Sequence, residues 1–592
     1  MRAIAILVLF VCSGHAATYY VDCAGGSDGA SGTSAAAWRS VSKVSATTFA
    51  PGDAILLRRG AECAGTLWPK GSGEIGKPIR IGAYGEGALP RVRAGGGEAA
   101  VKLENQQFWE IENLDASGGN PYGVLIAGDG ARTLRHLVLR NLVVHDVSGA
   151  PKTKASGLVV VAATHGAGLE DVEIDGVTAW RTSQWAGIYV SGSDVRARRV
   201  TVRNSIVHEV AGDGIVVFLA EDARIEKSAA WHTGLQETET IGTPNAIWAW
   251  SCRRCTVEYN EGFWIDSPGV DGGVYDIDWG DDDNVVAHNY AHDAQGYCVA
   301  VFGAGGRPTT NSAIRNNVCV NNGRSPKLAR RQGDIYTSTW DGGSLDGIAI
   351  EHNTVVWNPP IDAPAVQMEG TEFRGTRPNR IAGNIIYSTV ASLVNAAGPV
   401  KFEDNTYWHP GRGPARWRYG GREWAGFGQW RETAPRDRFA DPGLDFLLRP
   451  LRLEAGGRPA TAALGRLPAG IARGAGWLLL AAGAAEPETH AQLVFVQAAL
   501  AQYGGAGLEA AIAVDGGPNL PYDWNLGAVR RLEAAGVEGE LGVHGAPVLL
   551  LVSPKGEIVR RWEGFAAPSD LGLTLKHYLG SAPGDPALPS DW

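Results

Sequence analysis

The densest run of chemically able side chains is GVDGGVYDIDWGDDDN at 269–284, where Asp271, Asp276, Asp278, Asp281, Asp282 and Asp283 crowd together. Such a density of carboxylates is costly unless it serves chemistry, holds a cation or stays in water. Asp276 and Asp278 stand two residues apart, which on a strand sets their Cα atoms roughly 6.6 Å apart on one face. Hydrolysis of a glycosidic bond needs one carboxylic acid to protonate the leaving oxygen and one carboxylate as base or nucleophile. Their separation is about 5–5.5 Å in retaining enzymes and about 6.5–9.5 Å in inverting ones, so this spacing permits either and leans toward inverting. Asp276 and Asp278 are the expected acid/base pair, with Asp271 and His292 as further catalytic candidates. Asp213, Glu237, Lys327 and Arg331 are candidate substrate contacts, with Glu239, His288 and Arg330 near them in sequence. Asp281, Asp282 and Asp283 read as a solvated turn or as oxygen ligands for a structural Ca²⁺. Each has an ordinary reading too: a histidine packed on its strand, an Asp-Gly turn at Asp213-Gly214, a solvated basic loop in RSPKLARRQGD.

The elements that must carry these residues recur. Between 134 and 410 a short alternating apolar run, a marker residue and a second apolar run repeat ten times, with markers at Asn141, Gly176, Asn204, Lys227, Asn260, Asn289, Asn317, Asn353, Asn384 and Asn405. The intervals of roughly 21 to 36 residues lie in the range of solenoid repeats. Period-two alternation with β-branched residues excludes helical repeats. Irregular spacing on a fixed strand motif is what a parallel β-helix produces, since each coil keeps its strands and inserts loops between them. An Asn at a sharp corner tolerates αL geometry and can bond the coils above and below. Counting back ten residues from Asn289 and Asn260 sets Trp279 over Trp250 and Asp278 over Ala249. By alternation Asp276 and Asp278 then point outward, and Trp248 and Trp250 into the core.

YYVDCAGGSDGASGTSAAAWRSV, then PGDAILLRRG and GKPIRIGAYGEGALPRV, with RDRFADPGLDFLLRPLRL at 436–453, resembles secreted right-handed β-helix proteins of the pectate lyase-like and polygalacturonase-like superfamily. The resemblance covers roughly 18–470 and implies fold more than reaction, because that superfamily holds hydrolases, lyases, epimerases and non-enzymes. Polygalacturonase-like enzymes also set aspartates on successive positions of a β-helix strand and turn, which YDIDWGDDDN is similar to, without their fuller motif set. The expected class is therefore mainly β: a signal peptide at 1–17, a β-helix at 18–455, a Gly/Ala/Pro-rich linker at 456–476, a smaller α/β domain at 477–582 and a tail at 583–592. The βαβαββα order of the smaller domain, with Pro547 before a strand, resembles a thioredoxin-like domain in which that proline is cis. No cysteine follows Cys319, so redox chemistry there is excluded and a docking or stabilising role is expected.

Arg2, the apolar run Ala3–Val11 and small residues up to Ala17 predict a secretory signal; about ten apolar residues are too few to span a bilayer. A secreted or periplasmic location allows disulfides among Cys23, Cys63, Cys252, Cys255, Cys298 and Cys319, with Cys252 and Cys255 either bridged or buried thiols. The net charge of −10 argues against nucleic acid as a partner. The leading expectation is a monomeric enzyme hydrolysing a polysaccharide, without a cofactor. A polysaccharide lyase using Lys327, Arg330 or Arg331, often with Ca²⁺, is the alternative enzyme, and a non-catalytic glycan- or protein-binding solenoid the third reading.

Overall fold

The computed structural model describes residues 16–440 except 237, 239–241, 243, 268, 369 and 410–412, and beyond them 465–468, 471, 474–484, 492–493, 496–497, 499–500, 503–515, 528–532, 541, 548–563 and 568–580. The signal segment up to residue 15, Glu237, Glu239, Pro547, most of the linker and the tail lie outside the described residues. Contacts divide the chain into two compact units: Met1–Thr256 with Asp266–Val270, and Val257–Ile265 with Asp271–Trp592.

The first unit is built of parallel strands stacked coil on coil. Ile111, Leu139, Ile174, Val202 and Ile225 occupy one register column and are all buried. Each such aliphatic side chain contributes about 1.5–3 kcal/mol relative to exposure. The next outward column carries charge, Glu112, Arg140, Asp175, Arg203 and Glu226, cross-linked by Arg140 and Arg203 to Glu173. The chain then turns a corner through left-handed residues at Asn113, Asn141, Gly176, Asn204 and Lys227 (φ 50° to 67°). Beyond it a ladder of rings runs up the outside, His145 on Trp180, Trp180 on His208 and His208 on Trp231, with planes within 7°.

The second unit repeats this construction with a different corner. Here the left-handed residues are Tyr259, His288, Asn316, His352, Gly383 and Asp404, and the residue after each is a buried Asn: 260, 289, 317, 353, 384 and 405. Each of the first five donates both its backbone N–H and its side-chain amide to the Oδ1 of the next, at 2.9–3.1 Å. The series ends on Asp437, which accepts from Asn405 and from the Trp430 indole, and burial pushes its carboxyl up. The expected marker thus holds two different positions. In the first unit it is the left-handed residue itself, and Ser205 and Ser228 take the buried place behind Asn204 and Lys227. In the second unit it is the buried residue.

The second unit also holds a five-stranded sheet in the order Arg530–Leu532, Leu508–Asp515, Trp477–Ala484, Val548–Val552, Ile558–Glu563, parallel on one side of Trp477–Ala484 and antiparallel on the other. One face packs Leu479, Ala481, Leu549, Leu551 and Trp562 into a cluster that includes Tyr290 and Val318 from the outside of the coiled part. Among the described residues no helix is long and apolar enough to cross a membrane.

Candidate active site

In the second unit the strand Tyr275–Ile277 pairs in parallel with Val299–Gly303, which pairs with Ile335–Thr339. Tyr275, Val299 and Ile335 form one buried column, and the Tyr275 hydroxyl crosses to donate to the Tyr290 carbonyl at 2.7 Å. Alternation therefore turns Asp276, Ala300 and Tyr336 to the other face. The expected outward direction of Asp276 holds, but its exposure does not: it is 2% exposed and Asp278 is 8%. The cause is an aromatic cover of Tyr297, Phe302 and Tyr336, packed with Ala300 and rimmed by Trp340, which is 43% exposed.

The cover is tied to the strand beneath it. Val274 and Tyr275 donate their N–H groups to the carbonyls of Tyr297 and Cys298, each at 3.0 Å. A Cβ on Gly273 would stand 2.0 Å from the Tyr297 ring, so only glycine lets that ring settle. The Tyr297 hydroxyl then reaches Asp276 Oδ2 at 3.4 Å. Asp278 accepts the Trp279 N–H at 2.8 Å, and the Trp279 ring carries the Arg307 guanidinium at 3.9 Å. Tyr336 lies in the fields of both Asp271 and Arg331; burial raises its hydroxyl pKa, Asp271 adds to that and Arg331 opposes it. The structure thus sets the Tyr297 hydroxyl against Asp276 and leaves Tyr336 under the opposed electrostatic influence of Asp271 and the exposed Arg331.

Cys298 follows the covering Tyr297 directly and is bridged to Cys319. Asp334 is fully buried beside them: its Oδ1 accepts from the Cys298 N–H and from Asn322, and burial pushes it up to about 7. These three offer ligand atoms within 4.8 Å of one another, the one such cluster among the described residues, but both sulfurs are already joined. A second bridge links Cys23 to Cys63, while Cys252 and Cys255 are buried thiols.

Several sequence expectations are corrected. His292 belongs to the other sheet, between Glu261–Phe263 and Val318–Val320. It is 1% exposed, with Glu261 at 3.0 Å on Nε2, Asp293 at 2.8 Å on Nδ1 and Phe263 stacked at 4.8 Å. Burial alone would lower its pKa, but the two carboxylates outweigh it and raise it to about 9. It is a packed ion-pair residue, away from Asp276. His288 stacks on Tyr259. Asp281, Asp282 and Asp283 do not converge on a cation: Asp281 is buried, Asp282 accepts from the Thr310 hydroxyl and Asp283 is an exposed left-handed corner. Asp213 is buried in the first unit, where Oδ1 accepts from the Asn245 N–H and the Trp248 indole. Lys327 and Arg330 are exposed. Trp248 and Trp250 are not in the core. They register with Val216 and Phe218 on the outer face, while Ile247 and Ala249 face inward with Ile215 and Val217. A fixed count of ten from the corner fails because the connecting loops differ in length. Tyr297, Phe302 and Tyr336 went unnoticed in the sequence; the GGV before YDID, which clears room for Tyr297, was the available signal.

No curated protein sequence matches the chain. Among solved structures it is similar to GH136 lacto-N-biosidase from Eubacterium ramulus (21% identity, 62% of this chain and 67% of that one, TM-score 0.49). It is also similar to alginate lyase from Paenibacillus sp. str. FPU-7 (14%, 54% and 99%, 0.36) and to a mannuronic acid specific polysaccharide family 6 lyase from human gut microbiota (13%, 72% and 92%, 0.34). Residues 99–355 match the family model described as "Right handed beta helix region", and the parallel coils are those of a right-handed β-helix.

Proposed function

We propose that the chain acts on a polysaccharide, as a glycoside hydrolase whose acid/base pair is Asp276 and Asp278. The observation that carries this reading is a carboxyl group held on the outer face of a parallel sheet, oriented by the Tyr297 hydroxyl and shielded by Phe302 and Tyr336. A water-excluding aromatic surround strengthens the electrostatics of proton transfer, and sugar C–H faces complement exposed rings such as Trp340. Asp276 would transfer a proton to or from the glycosidic oxygen or the attacking water, and Asp278 would take the complementary part. No cofactor is needed. Two disulfides support a secreted or periplasmic location. The strand order of the five-stranded sheet supports a thioredoxin-like domain without redox chemistry, serving to stabilise or dock.

Purified protein incubated with a panel of polysaccharides should release reducing ends from one of them, and Asp276→Asn should lower that rate by about 10²–10⁴. Full activity in both Asp276→Asn and Asp278→Asn would sink the assignment. A lyase is the second reading, in which Arg331, whose charge acts to lower the Tyr336 hydroxyl pKa, would neutralise a uronate carboxylate and Tyr336 would serve as base. Ultraviolet absorbance of unsaturated uronates in the same assay identifies that outcome. Binding without turnover identifies the non-catalytic solenoid.

A further inference from the structure

In the first unit, the outer face of the strands Gly157–Thr164, Ala186–Ser191, Asp213–Phe218 and Ile247–Trp250 carries an aromatic layer of Trp185, Tyr189, Trp248, Phe218 and Trp250. Phe218 and Trp250 are half-buried and stacked at 4.3 Å, so part of each ring meets solvent. Asp213 fixes the Trp248 indole from beneath. Lys154, itself half-buried, holds its ammonium 5.3 Å from the Trp185 ring and 5.7 Å from the Trp250 ring. No carboxylate among the described residues pairs with it. The Trp185 N–H is buried and has no acceptor.

A long lysine at such a depth ordinarily carries its head to water or to an anion. Here the ring faces hold the cation in place by cation–π attraction, with no carboxylate among the described residues neutralising it. A positive charge between two indoles, beside an unused indole donor, complements one ligand: a ring with an apolar C–H face and one carboxylate. Polyphosphate chains are disfavoured by the net charge of −10. We propose that this layer is a binding subsite for a carboxylate-bearing pyranose of a glycan, with Lys154 meeting the carboxylate and Trp250 and Phe218 the ring. The proposal deepens the reading of the chain as polysaccharide-acting, and rests on it for the ligand being a glycan at all.

The test separates the two by measuring binding and turnover apart. Full-length protein carrying Asp276→Asn is titrated by calorimetry and tryptophan fluorescence with oligogalacturonate, oligomannuronate, sialyllactose and a carboxyl-reduced oligogalacturonate. One carboxylated ligand should bind, at least tenfold more tightly than its neutral counterpart, and the active arm tells a uronate from a sialate. Lys154→Gln should weaken that binding about tenfold, Lys154→Arg should restore it, and Trp250→Ala should weaken carboxylated and neutral ligands alike. Equal binding of neutral and carboxylated ligands, unchanged affinity in Lys154→Gln, or no binding by any carboxylated ligand overturns the subsite. Turnover of a neutral glycan by the wild-type chain leaves the hydrolase reading standing while the subsite falls.

Discussion

The two units build the same parallel coil and close its corner by different means. In the second unit buried Asn260, Asn289, Asn317, Asn353, Asn384 and Asn405 hand two hydrogen bonds each along a row that stops at Asp437. In the first unit the corner places behind Asn204 and Lys227 hold Ser205 and Ser228, with bonds passed through one hydroxyl, Ser205 N–H to Ser228 Oγ at 3.2 Å. An interior amide row is satisfied only if every member is present, so it concentrates dependence on each residue. A hydroxyl corner spreads that dependence over the apolar columns beside it. The outer faces differ in kind as well. The second unit sets buried carboxylates under its aromatic cover, whereas the first sets a lysine over its aromatic layer, which divides the expected roles into chemistry and capture.

The largest effect that could break this division is catalytic. Asp276→Asn should remove turnover while leaving glycan affinity within a few-fold, and Lys154→Gln should weaken affinity, seen as a raised KM, with little change in kcat. A kcat loss in Lys154→Gln as large as that in Asp276→Asn would join the two faces into one catalytic machine.

The corner comparison predicts the next largest effect. Asn317→Ala removes the two bonds its side-chain amide donates, to Asn353 Oδ1 and to the Val286 carbonyl, and the acceptor of two from Asn289, leaving buried polar groups unpaired, and should cost about 2–4 kcal/mol. Ser205→Ala loses one hydroxyl and should cost about 1 kcal/mol. Urea unfolding of both proteins checks the ranking; equal costs would show that the amide row is not a distinct device.

Reduction should act through the site more than through the fold. Cys298→Ser with Cys319→Ser frees the segment that carries Tyr297, so kcat should fall severalfold at a temperature where circular dichroism still reports the native sheet. Replacing Cys23 and Cys63 together should shift the unfolding midpoint and leave kcat alone. The opposite pattern would detach Tyr297 from the mechanism.

How much of this was legible in the sequence depended on whether a feature is local. The parallel coil was readable because period-two runs and corner residues lie within ten residues of each other. The outward direction of Asp276 followed from alternation alone. Its burial did not, because the cover arrives from Tyr297, Phe302 and Tyr336, on loops and strands 21 to 60 residues later. Trp248 and Trp250 face outward, against the expectation, because the loops between strand and corner differ in length and a fixed count of ten from Asn260 and Asn289 slips the register by one. A shift of one residue in register inverts every face along a strand. His292 lies near the acidic run in sequence, but the chain has already passed to the other sheet at Val285–Ala287, and Tyr290–His292 follows in that same sheet.

The smallest effect expected is in the pH dependence of stability, where the two units should respond with opposite sign. His292, in the second unit, has its folded pKa raised to about 9 by Asp293 and Glu261 despite burial. The folded state therefore holds a proton that the unfolded chain, with a pKa near 6.5, has released. Its contribution is complete below about pH 6.5 and is lost as pH rises through 9. His208, in the first unit, is lowered to about 4, chiefly by burial against Trp231 and Trp180. The folded state keeps it neutral where the unfolded chain binds a proton, so this contribution is present above about pH 6.5 and is lost as pH falls toward 4. Each window has a limiting slope of about 1.4 kcal/mol per pH unit, negative for His292 and positive for His208. His292→Gln should flatten the alkaline limb of the urea-midpoint profile, and His208→Gln the acid limb. If His292→Gln flattened the acid limb instead, the ion pair with Asp293 and Glu261 would not be holding its proton.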